Sequence, residues 1–277
     1  MTHRTSASAR ISIVISDVDG TLVTDDKVLT DPSRSAVERL RANGIRFGII
    51  SARPPRGLLM LLKALSIETP VAGFNGGVIA NPDMTIISEH LLAPETARDA
   101  VDLLTQRGLA VWVFTGQDWL LRDAHQPYVA LEQRTVGFGP TIVEDFGSSL
   151  DSAAKIVGVS ADFAHLARCE HDVTTALAGR ASVARSQAYY LDITHPLANK
   201  GAALSQLAKI LAVPLAEIAV IGDGANDVAM FERSGLSIAM GNAKAAVQQA
   251  ADFVTDSNGN DGFAKAMDRY ILDLSGG

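Results

Sequence analysis

The hydrophobic positions of the chain fall into short continuous runs that alternate with stretches of helical periodicity. The runs "ISIVIS" (residues 11–16) and "IRFGII" (residues 45–50) have almost no polar interruptions, which is typical of parallel strands buried on both faces. Between them, "DPSRSAVERLRANG" opens with Asp31 as the predicted N-cap and Pro32 at the first turn, and it stops at Gly44. The pattern predicts an α/β protein with a parallel-sheet core.

The alternation of apolar runs and helical stretches changes character at about residue 82, and the α/β pattern resumes at about residue 189. The stretch "TPVAGFNGG" (residues 69–77) predicts a third core strand that runs into a glycine turn. Residues 82–188 then mix strand-like runs with longer helical stretches, which indicates an α+β unit of its own. We therefore predict a discontinuous α/β core, residues 1–81 and 189–277, with an α+β domain, residues 82–188, inserted into it.

Composition and charge indicate what kind of protein this is and which partners are unfavourable for it. The 277 residues are 47% hydrophobic with a formal net charge of −7, which fits a globular protein and argues against nucleic acid or an anionic membrane as the partner. A small anionic ligand stays possible, because a few local cations can outweigh the global sign. The single cysteine, the polar N-terminal stretch and the absence of an 18-residue apolar run lead us to expect a cytoplasmic protein.

Polar side chains follow four of the predicted strands, and in open parallel sheets such strand ends meet at one edge. A lysine also begins the helix that precedes the last of these strands. The residues in question are Asp17 and Asp19, Ser51, Asn75, Asp223 with Asp227, and Lys200. Each aspartate taken alone would be explained as a turn or cap residue. Taken together, the aspartates predict a hard-oxygen site suited to Mg²⁺, with a lysine and a hydroxyl placed to neutralise a phosphoryl group.

Four of these segments, in order, resemble the motifs of one enzyme family. They are "DVDGTLV" (residues 17–23), "SARP" (51–54), "NKGAAL" (199–204) and "GDGANDVAM" (222–230). The set is similar to the haloacid dehalogenase-like phosphatase superfamily, and most similar to its Cof-like branch, subfamily IIB. "FNGGVI" (74–79) and "VTDSNGNDGFAKAM" (254–267) also resemble that branch. The resemblance implies a Rossmann-like core and, from the long gap between the second and third motifs, an inserted cap of the C2 type.

The resemblance also implies a role for each matched residue. Asp17 would attack phosphorus, Asp19 would act as general acid and then as general base, and Ser51 with Lys200 would hold phosphoryl oxygens. Mg²⁺ would be bound by the Asp17 carboxylate, the main-chain carbonyl of Asp19 and Asp223. The residues expected to support the metal or to contact the substrate are Asp227, Asn226, Asn75 and Arg53.

Two features leave alternatives open. Ala52 stands where relatives usually have glycine, and Arg53 could equally be a phosphate or substrate contact or a capping or surface arginine. The leading hypothesis is a Mg²⁺-dependent phosphatase that acts on a small phosphate ester such as a sugar phosphate. The same intermediate could serve a phosphotransferase or mutase, or the scaffold could bind a ligand without turnover. The physiological substrate and the oligomeric state are not predicted by the sequence.

Overall fold

The computed structural model describes residues 10–273, so most of the polar N-terminal stretch lies outside the described part. Its strands are β1 Ile13–Ser16, β2 Arg46–Ile49, β3 Val71–Gly73, β4 Val78–Ala80, β5 Ile86–Glu89, β6 Ala110–Phe114, β7 Trp119–Leu121, β8 Thr141–Ile142, β9 Lys155–Val159, β10 Ser182–Gln187, β11 Tyr190–Thr194, β12 Ile218–Gly222, β13 Leu236–Ala239 and β14 Phe253–Val254. Its α-helices are α1 Asp31–Ala42, α2 Leu59–Ala64, α3 Pro94–Gln106, α4 Val129–Val136, α5 Phe163–Ala176, α6 Lys200–Ile210, α7 Val228–Phe231, α8 Ala245–Ala250 and α9 Gly262–Met267. Within the described part, no helix has both the length and the apolar character that crossing a membrane requires.

The chain divides into two compact units. The first consists of the described residues up to Ser51, then Leu61–Val71, and those from Lys200 onward. The second consists of Ala52–Met60 and Ala72–Asn199, so it enters the first unit as an insertion in the sequence. The domain boundaries predicted from the sequence, after residues 81 and 188, stay a prediction.

The first unit contains a parallel five-stranded sheet in the order β14-β13-β12-β1-β2. Strand β1, which lies between β12 and β2, has no solvent-exposed apolar side chain, because neighbouring strands and helices cover both faces. In register, Ser16 lies beside Ile221 of β12 and Ile49 of β2. The residues that follow these three strands therefore emerge at one edge of the sheet, which confirms the predicted α/β class.

The second unit is built on a six-stranded sheet in the order β10-β11-β9-β6-β7-β8, antiparallel except between β7 and β8. Helices α3 and α5 contribute side chains such as Leu104 and Leu166 to the core on one face. The opposite face buries an aromatic cluster that includes Trp112 and Trp119. These additional sheets beside the parallel core confirm the mixed α/β fold class.

Two local predictions differ from the structure. Helix α1 is capped by Thr30, whose Oγ1 accepts a hydrogen bond from the backbone N of Ser33 at 3.3 Å, and Asp31 is instead the first helical residue. Strand β3 does not extend the parallel sheet but lies beside β4 in a three-stranded sheet with β5. The cause is the left-handed backbone at Phe74 and Asn75 (φ of 51° and 58°), which reverses the chain within a few residues.

Candidate active site

The carboxyl edge of the parallel sheet gathers several of the predicted site residues of the first unit. Asp17 directly follows β1, where its backbone N donates to the carbonyl of Ile221 at 3.0 Å. Ser51 follows β2 after one intervening residue, and its side chain is buried. Asp223 directly follows β12. The rule that parallel strands end at a common edge therefore places these groups in one region.

Lys200 is the first residue of α6, and its side chain is only 1% exposed. Its Nζ lies 2.6 Å from Oδ1 of Asp17 and 2.5 Å from Oδ1 of Asp227. Burial by itself would lower the pKa of Lys200, but the two carboxylates outweigh burial and raise it. The ammonium charge is therefore fixed at the centre of the site.

Asp227 is fully buried and organises the loop that follows β12. Its Oδ2 accepts hydrogen bonds from the backbone N of Asp223 at 2.9 Å and of Gly224 at 2.8 Å, while its Oδ1 binds Lys200. The β-carbon of any residue at position 222 would lie 2.4 Å from the Asp227 carboxyl carbon, so only glycine fits there. Because both Asp227 oxygens are already engaged, this carboxylate supports its neighbours rather than offering a ready metal ligand.

Asp223 is held by residues of the loops that follow β1 and β13. Thr21 Oγ1 donates to Asp223 Oδ1 at 3.1 Å, and Asn242 Nδ2 lies 3.4 Å from Asp223 Oδ2. Gly20 has a φ of +81°, and a β-carbon there would lie 2.3 Å from Asp223 Oδ2. The glycines of "DVDG" and "GDG" thus let the two loops approach closely.

Three carboxylates, those of Asp17, Asp223 and Asp227, have ligand atoms within 4.8 Å of one another. Burial raises the pKa of Asp17 well above its usual range, and the charges of Asp227 and Asp223 add to the rise against the opposing effect of Lys200. Burial likewise raises the pKa of Asp223 to about 6, with Asp227 acting in the same direction. One lysine does not balance three carboxylates, so the oxygens of Asp17 and Asp223, with Asp227 adding negative charge beside them, fit a divalent cation.

Asp19 lies two residues after Asp17 and is paired with a lysine that the sequence analysis did not select. Lys27 Nζ lies 2.9 Å from Asp19 Oδ1, and the Lys27 backbone has a left-handed φ of 64°. Asn242 was missed as well, although it follows β13 by three residues at the same edge of the sheet. Applying the strand-end rule to "GLSIAMGN" would have found it.

The remaining predicted residues are divided between the two units. Asn226 is exposed in the turn Ala225–Asp227 of the first unit. Arg53 and Asn75 belong to the second unit, where the buried Arg53 donates through Nη1 to the carbonyl of Thr135 at 2.7 Å. The structure therefore brings together the predicted groups of the first unit, and it does not place Arg53 or Asn75 on the parallel sheet.

Comparison with known proteins places the chain in a family. A model of the haloacid dehalogenase-like hydrolases matches residues 14–267. A Haemophilus influenzae protein named "Putative phosphatase" is 30% identical, over 92% of this chain and 96% of its own. The Bacillus subtilis 5-amino-6-(5-phospho-D-ribitylamino)uracil phosphatase YcsE is 25% identical, over 95% of this chain and 96% of its own. The crystal structure of a haloacid dehalogenase-like hydrolase from Bacteroides thetaiotaomicron has a TM-score of 0.86 and 28% identity, covering 94% of this chain and 99% of that one.

Proposed function

The chain belongs to the Cof-like branch of the haloacid dehalogenase-like hydrolases and is a phosphoric monoester hydrolase, and on that premise we propose that it releases phosphate from a small phosphorylated metabolite by way of an aspartyl-phosphate at Asp17. The observation that carries this proposal is the arrangement of Asp17. Its carboxylate stands at the end of a buried strand, in contact with the buried ammonium of Lys200. A nucleophilic carboxylate must be ionised, and Lys200 favours that form.

The proposed reaction has two steps. In the first, an oxygen of Asp17 forms a bond to phosphorus, the bond from phosphorus to the alcohol oxygen breaks, and Asp19 donates a proton to the departing alcohol. In the second, Asp19 takes a proton from water, the water oxygen bonds to phosphorus, and the acyl-phosphate bond breaks to free Asp17 and inorganic phosphate. Asp19 lies two residues from the nucleophile, and its contact with Lys27 fixes the direction of its side chain.

The surrounding groups would bind and orient the phosphoryl group. We assign Ser51 and Lys200 to phosphoryl oxygens, and Asn226 to a contact at the rim of the loop. Asp17, Asp223 and the main-chain carbonyl of Asp19 would hold Mg²⁺, which when bound would offset the negative charge of the carboxylates and the phosphoryl oxygens. The raised pKa values of Asp17 and Asp223 are consistent with this assignment, because burial and the neighbouring carboxylates disfavour the charged form of each group and a bound cation would favour it. We assign Arg53 and Asn75 to contacts with the rest of the substrate.

The substrate class is inferred from relatives and from the charge of the site. One relative is named as the phosphatase of a phosphorylated ribityl compound, which is a phosphate ester on a polyol. We propose a sugar phosphate or a similar phosphomonoester for this chain. Transfer of the phosphoryl group to an acceptor hydroxyl, rather than to water, would use the same first step, so the test must separate the two acceptors.

The test is a panel of phosphorylated sugars, nucleotides and cofactors incubated with the purified protein and Mg²⁺, with free phosphate and phosphorylated acceptor measured separately. We expect free phosphate to accumulate, EDTA to stop its release, and added Mg²⁺ to restore it. Phosphate release that is indifferent to EDTA would contradict the metal assignment. Accumulation of phosphorylated acceptor without free phosphate would identify a phosphotransferase, and no turnover of any ester would favour a binding protein.

A further inference from the structure

The late motif "TDSNGNDG" (residues 255–262) has no role in the proposed chemistry, yet it contacts the loop that carries Asp19. We name residues 255–262 the clamp and residues 19–28 the acid loop. The side chain of Asn258 in the clamp is buried, and its Nδ2 donates to the carbonyl of Val23 at 3.1 Å and to Oδ1 of Asp25 at 3.0 Å. A single amide therefore holds two points of the acid loop.

The clamp is connected to the carboxylate cluster through Asn242. The backbone N of Asn258 donates to Asn242 Oδ1 at 3.0 Å. The other end of the same amide, Nδ2, donates to the carbonyl of Gly20 at 2.9 Å and lies 3.4 Å from Asp223 Oδ2. A backbone N–H can pair only with the amide oxygen, and a carbonyl only with the amide nitrogen, so both ends fix the same orientation of Asn242.

The clamp also holds the chain just beyond the acid loop. Thr30, the N-cap of α1, donates through Oγ1 to Asp261 Oδ1 at 3.1 Å. Asp261 and Lys27 both have a left-handed backbone, with φ of 56° and 64°. Such conformations cost free energy in residues other than glycine and persist where surrounding contacts impose them. Two of the non-glycine residues with a left-handed backbone thus lie at the clamp and at the lysine that contacts Asp19.

We propose that Asn258 and Asn242 are positioning residues. Asn258 fixes the conformation of the acid loop, and Asn242 fixes the position of the Gly20 carbonyl relative to Asp223. Together they hold Asp19 and the metal ligands in fixed relative positions. This inference rests on the proposed function for its catalytic consequence. The alternative is that the same hydrogen bonds only stabilise the fold. The two explanations predict different behaviour in a variant that stays folded. If the hydrogen bonds position the acid loop, the loop becomes more mobile in that variant; if they only stabilise the fold, the loop is unchanged.

The decisive variants are Asn258→Ala, Asn258→Asp and Asn242→Ala, with Asn260→Ala as the matched control. Asn260 lies in the same turn, and its exposed side chain has no hydrogen bond assigned to it. Asn258→Asp keeps the shape but replaces the donor by an acceptor facing Val23 O and Asp25, so it should disturb the acid loop at least as much as Asn258→Ala. Asn242 is exposed, so its truncation leaves the fold intact.

The first readout is hydrogen exchange of peptides that cover residues 21–28, measured without metal or substrate. The backbone N of Thr24 and that of Lys27 are both hydrogen-bonded within the acid loop, to Val28 O at 3.0 Å and Thr24 O at 2.9 Å. We expect their exchange to quicken by about tenfold or more in both Asn258 variants and to stay unchanged in Asn260→Ala. Unchanged exchange in the Asn258 variants would overturn the inference, even if their thermal midpoint fell.

The second readout is Mg²⁺ affinity by calorimetry, together with kcat and KM on a phosphate ester that the protein hydrolyses. Truncating a residue that orients a metal ligand typically weakens metal binding by about 10- to 100-fold, which we expect for Asn242→Ala with kcat falling more than KM changes. Wild-type affinity and kcat in Asn242→Ala would overturn its positioning role. Failure of the wild-type protein to release phosphate would overturn the proposed function, whereas the exchange measurement needs no substrate and would still decide the inference.

Discussion

Among the described residues, two lysines are buried against aspartates, and they make different kinds of site. In the first unit, Lys200 lies 2.6 Å from Asp17 and 2.5 Å from Asp227. In the second unit, Lys155 Nζ lies 2.7 Å from Asp192 Oδ2, with 10% and 7% of the two side chains exposed. The nearest distances are alike, so distance alone does not separate a reactive cluster from a structural ion pair.

The difference lies in charge balance and in what else the carboxylates contact. The Lys155 site pairs one cation with one anion, and its ammonium also lies 5.9 Å from the centre of the Phe114 ring. The approach of Lys155 to Asp192 is close, but its angles do not make a hydrogen bond, and neither Asp192 oxygen has a hydrogen-bond partner among the described residues. The neutral pair needs no further charge.

The Lys200 site contains three converging carboxylates and one lysine. Hydrogen bonds stabilise the charged carboxylates of this site: backbone N–H groups donate to Asp227, and the hydroxyl of Thr21 donates to Asp223. Folding has therefore assembled a cluster in which a carboxylate either keeps a proton, as the raised pKa values of Asp17 and Asp223 indicate, or is balanced by a further cation. From this comparison we expect the unbalanced, hydrogen-bonded cluster to be the functional site and the balanced pair to be structural.

The largest expected effect comes from Asp17→Asn, which removes the proposed nucleophile. We expect kcat on the best phosphate ester to fall by about 10⁴-fold or more, as for removal of other catalytic nucleophiles. The fold should survive, because Lys200 keeps its contact with Asp227. Phosphate release and circular dichroism measure the two outcomes. The matched variant Asp192→Asn should keep its activity, and wild-type activity in Asp17→Asn would refute the covalent mechanism.

The next largest effect is expected for Lys200→Met, which leaves Asp17 and Asp227 buried without their cation. Activity should fall by about 10²- to 10³-fold, because a preorganised charge at the phosphoryl group is lost. The free energy of unfolding should also fall, by about 3–5 kcal/mol, since breaking a buried ion pair leaves uncompensated charge. Denaturant unfolding in EDTA measures this change. A stable variant with full activity would show that Lys200 is not needed at the site.

The balanced pair should respond differently to the same substitution. Lys155→Met should lower the free energy of unfolding by about 3 kcal/mol, whereas the double variant Lys155→Met/Asp192→Leu should recover most of the loss, because the buried charge is removed with its partner. Activity should stay near the wild-type value in the double variant. A double-mutant cycle by urea unfolding measures the coupling. If the double variant were as unstable as the single one, the pair would not be an isolated structural contact.

Sequence patterns predicted the parts of this molecule that depend on short stretches of chain. The bounds of β1 and β2, and the end of a strand directly before Asp223, were predicted within about two residues, because uninterrupted apolar runs leave few alternatives. The positions of Asp17 and Asp223 followed from the same runs, since a parallel strand ends at a known edge. The family itself was recognised from the motifs at these strand ends and is confirmed.

What the sequence did not predict depends on contacts between distant residues. Strand β3 joins β4 and β5 because the chain reverses direction at Phe74 and Asn75. The glycine turn signal in the sequence does not show which sheet the strand before it will join. Asn258 contacts residues more than 230 positions away in the chain, and neither hydrophobic period nor motif spacing encodes such a pair. The pairing of Lys27 with Asp19 similarly depends on an unusual left-handed backbone rather than on spacing.

The smallest expected effect concerns the dependence of thermal stability on pH and Mg²⁺. Burial raises the folded-state pKa of Asp223 from 3.8 to about 6, so in the metal-free protein the folded state binds a proton more tightly than the unfolded state does. The associated stability is fully present below pH 3.8 and is lost as pH rises through about 6. Because Mg²⁺ needs ionised carboxylates, it should raise the thermal midpoint more at pH 7.5 than at pH 5, by about 2–4 °C for each kcal/mol of binding.

Differential scanning fluorimetry with Mg²⁺ or EDTA at the two pH values measures this difference, and the two lysine sites supply its controls. Asp223→Asn should abolish both the response to Mg²⁺ and its change with pH, because it removes a ligand and the titrating group together. Asp192→Asn should keep both, even if it lowers the midpoint overall, because the Lys155 pair has no excess charge for a cation to offset. An equal gain from Mg²⁺ at pH 5 and pH 7.5 would contradict the assignment of Asp223 as the titrating ligand, and the unbalanced cluster would then need another explanation.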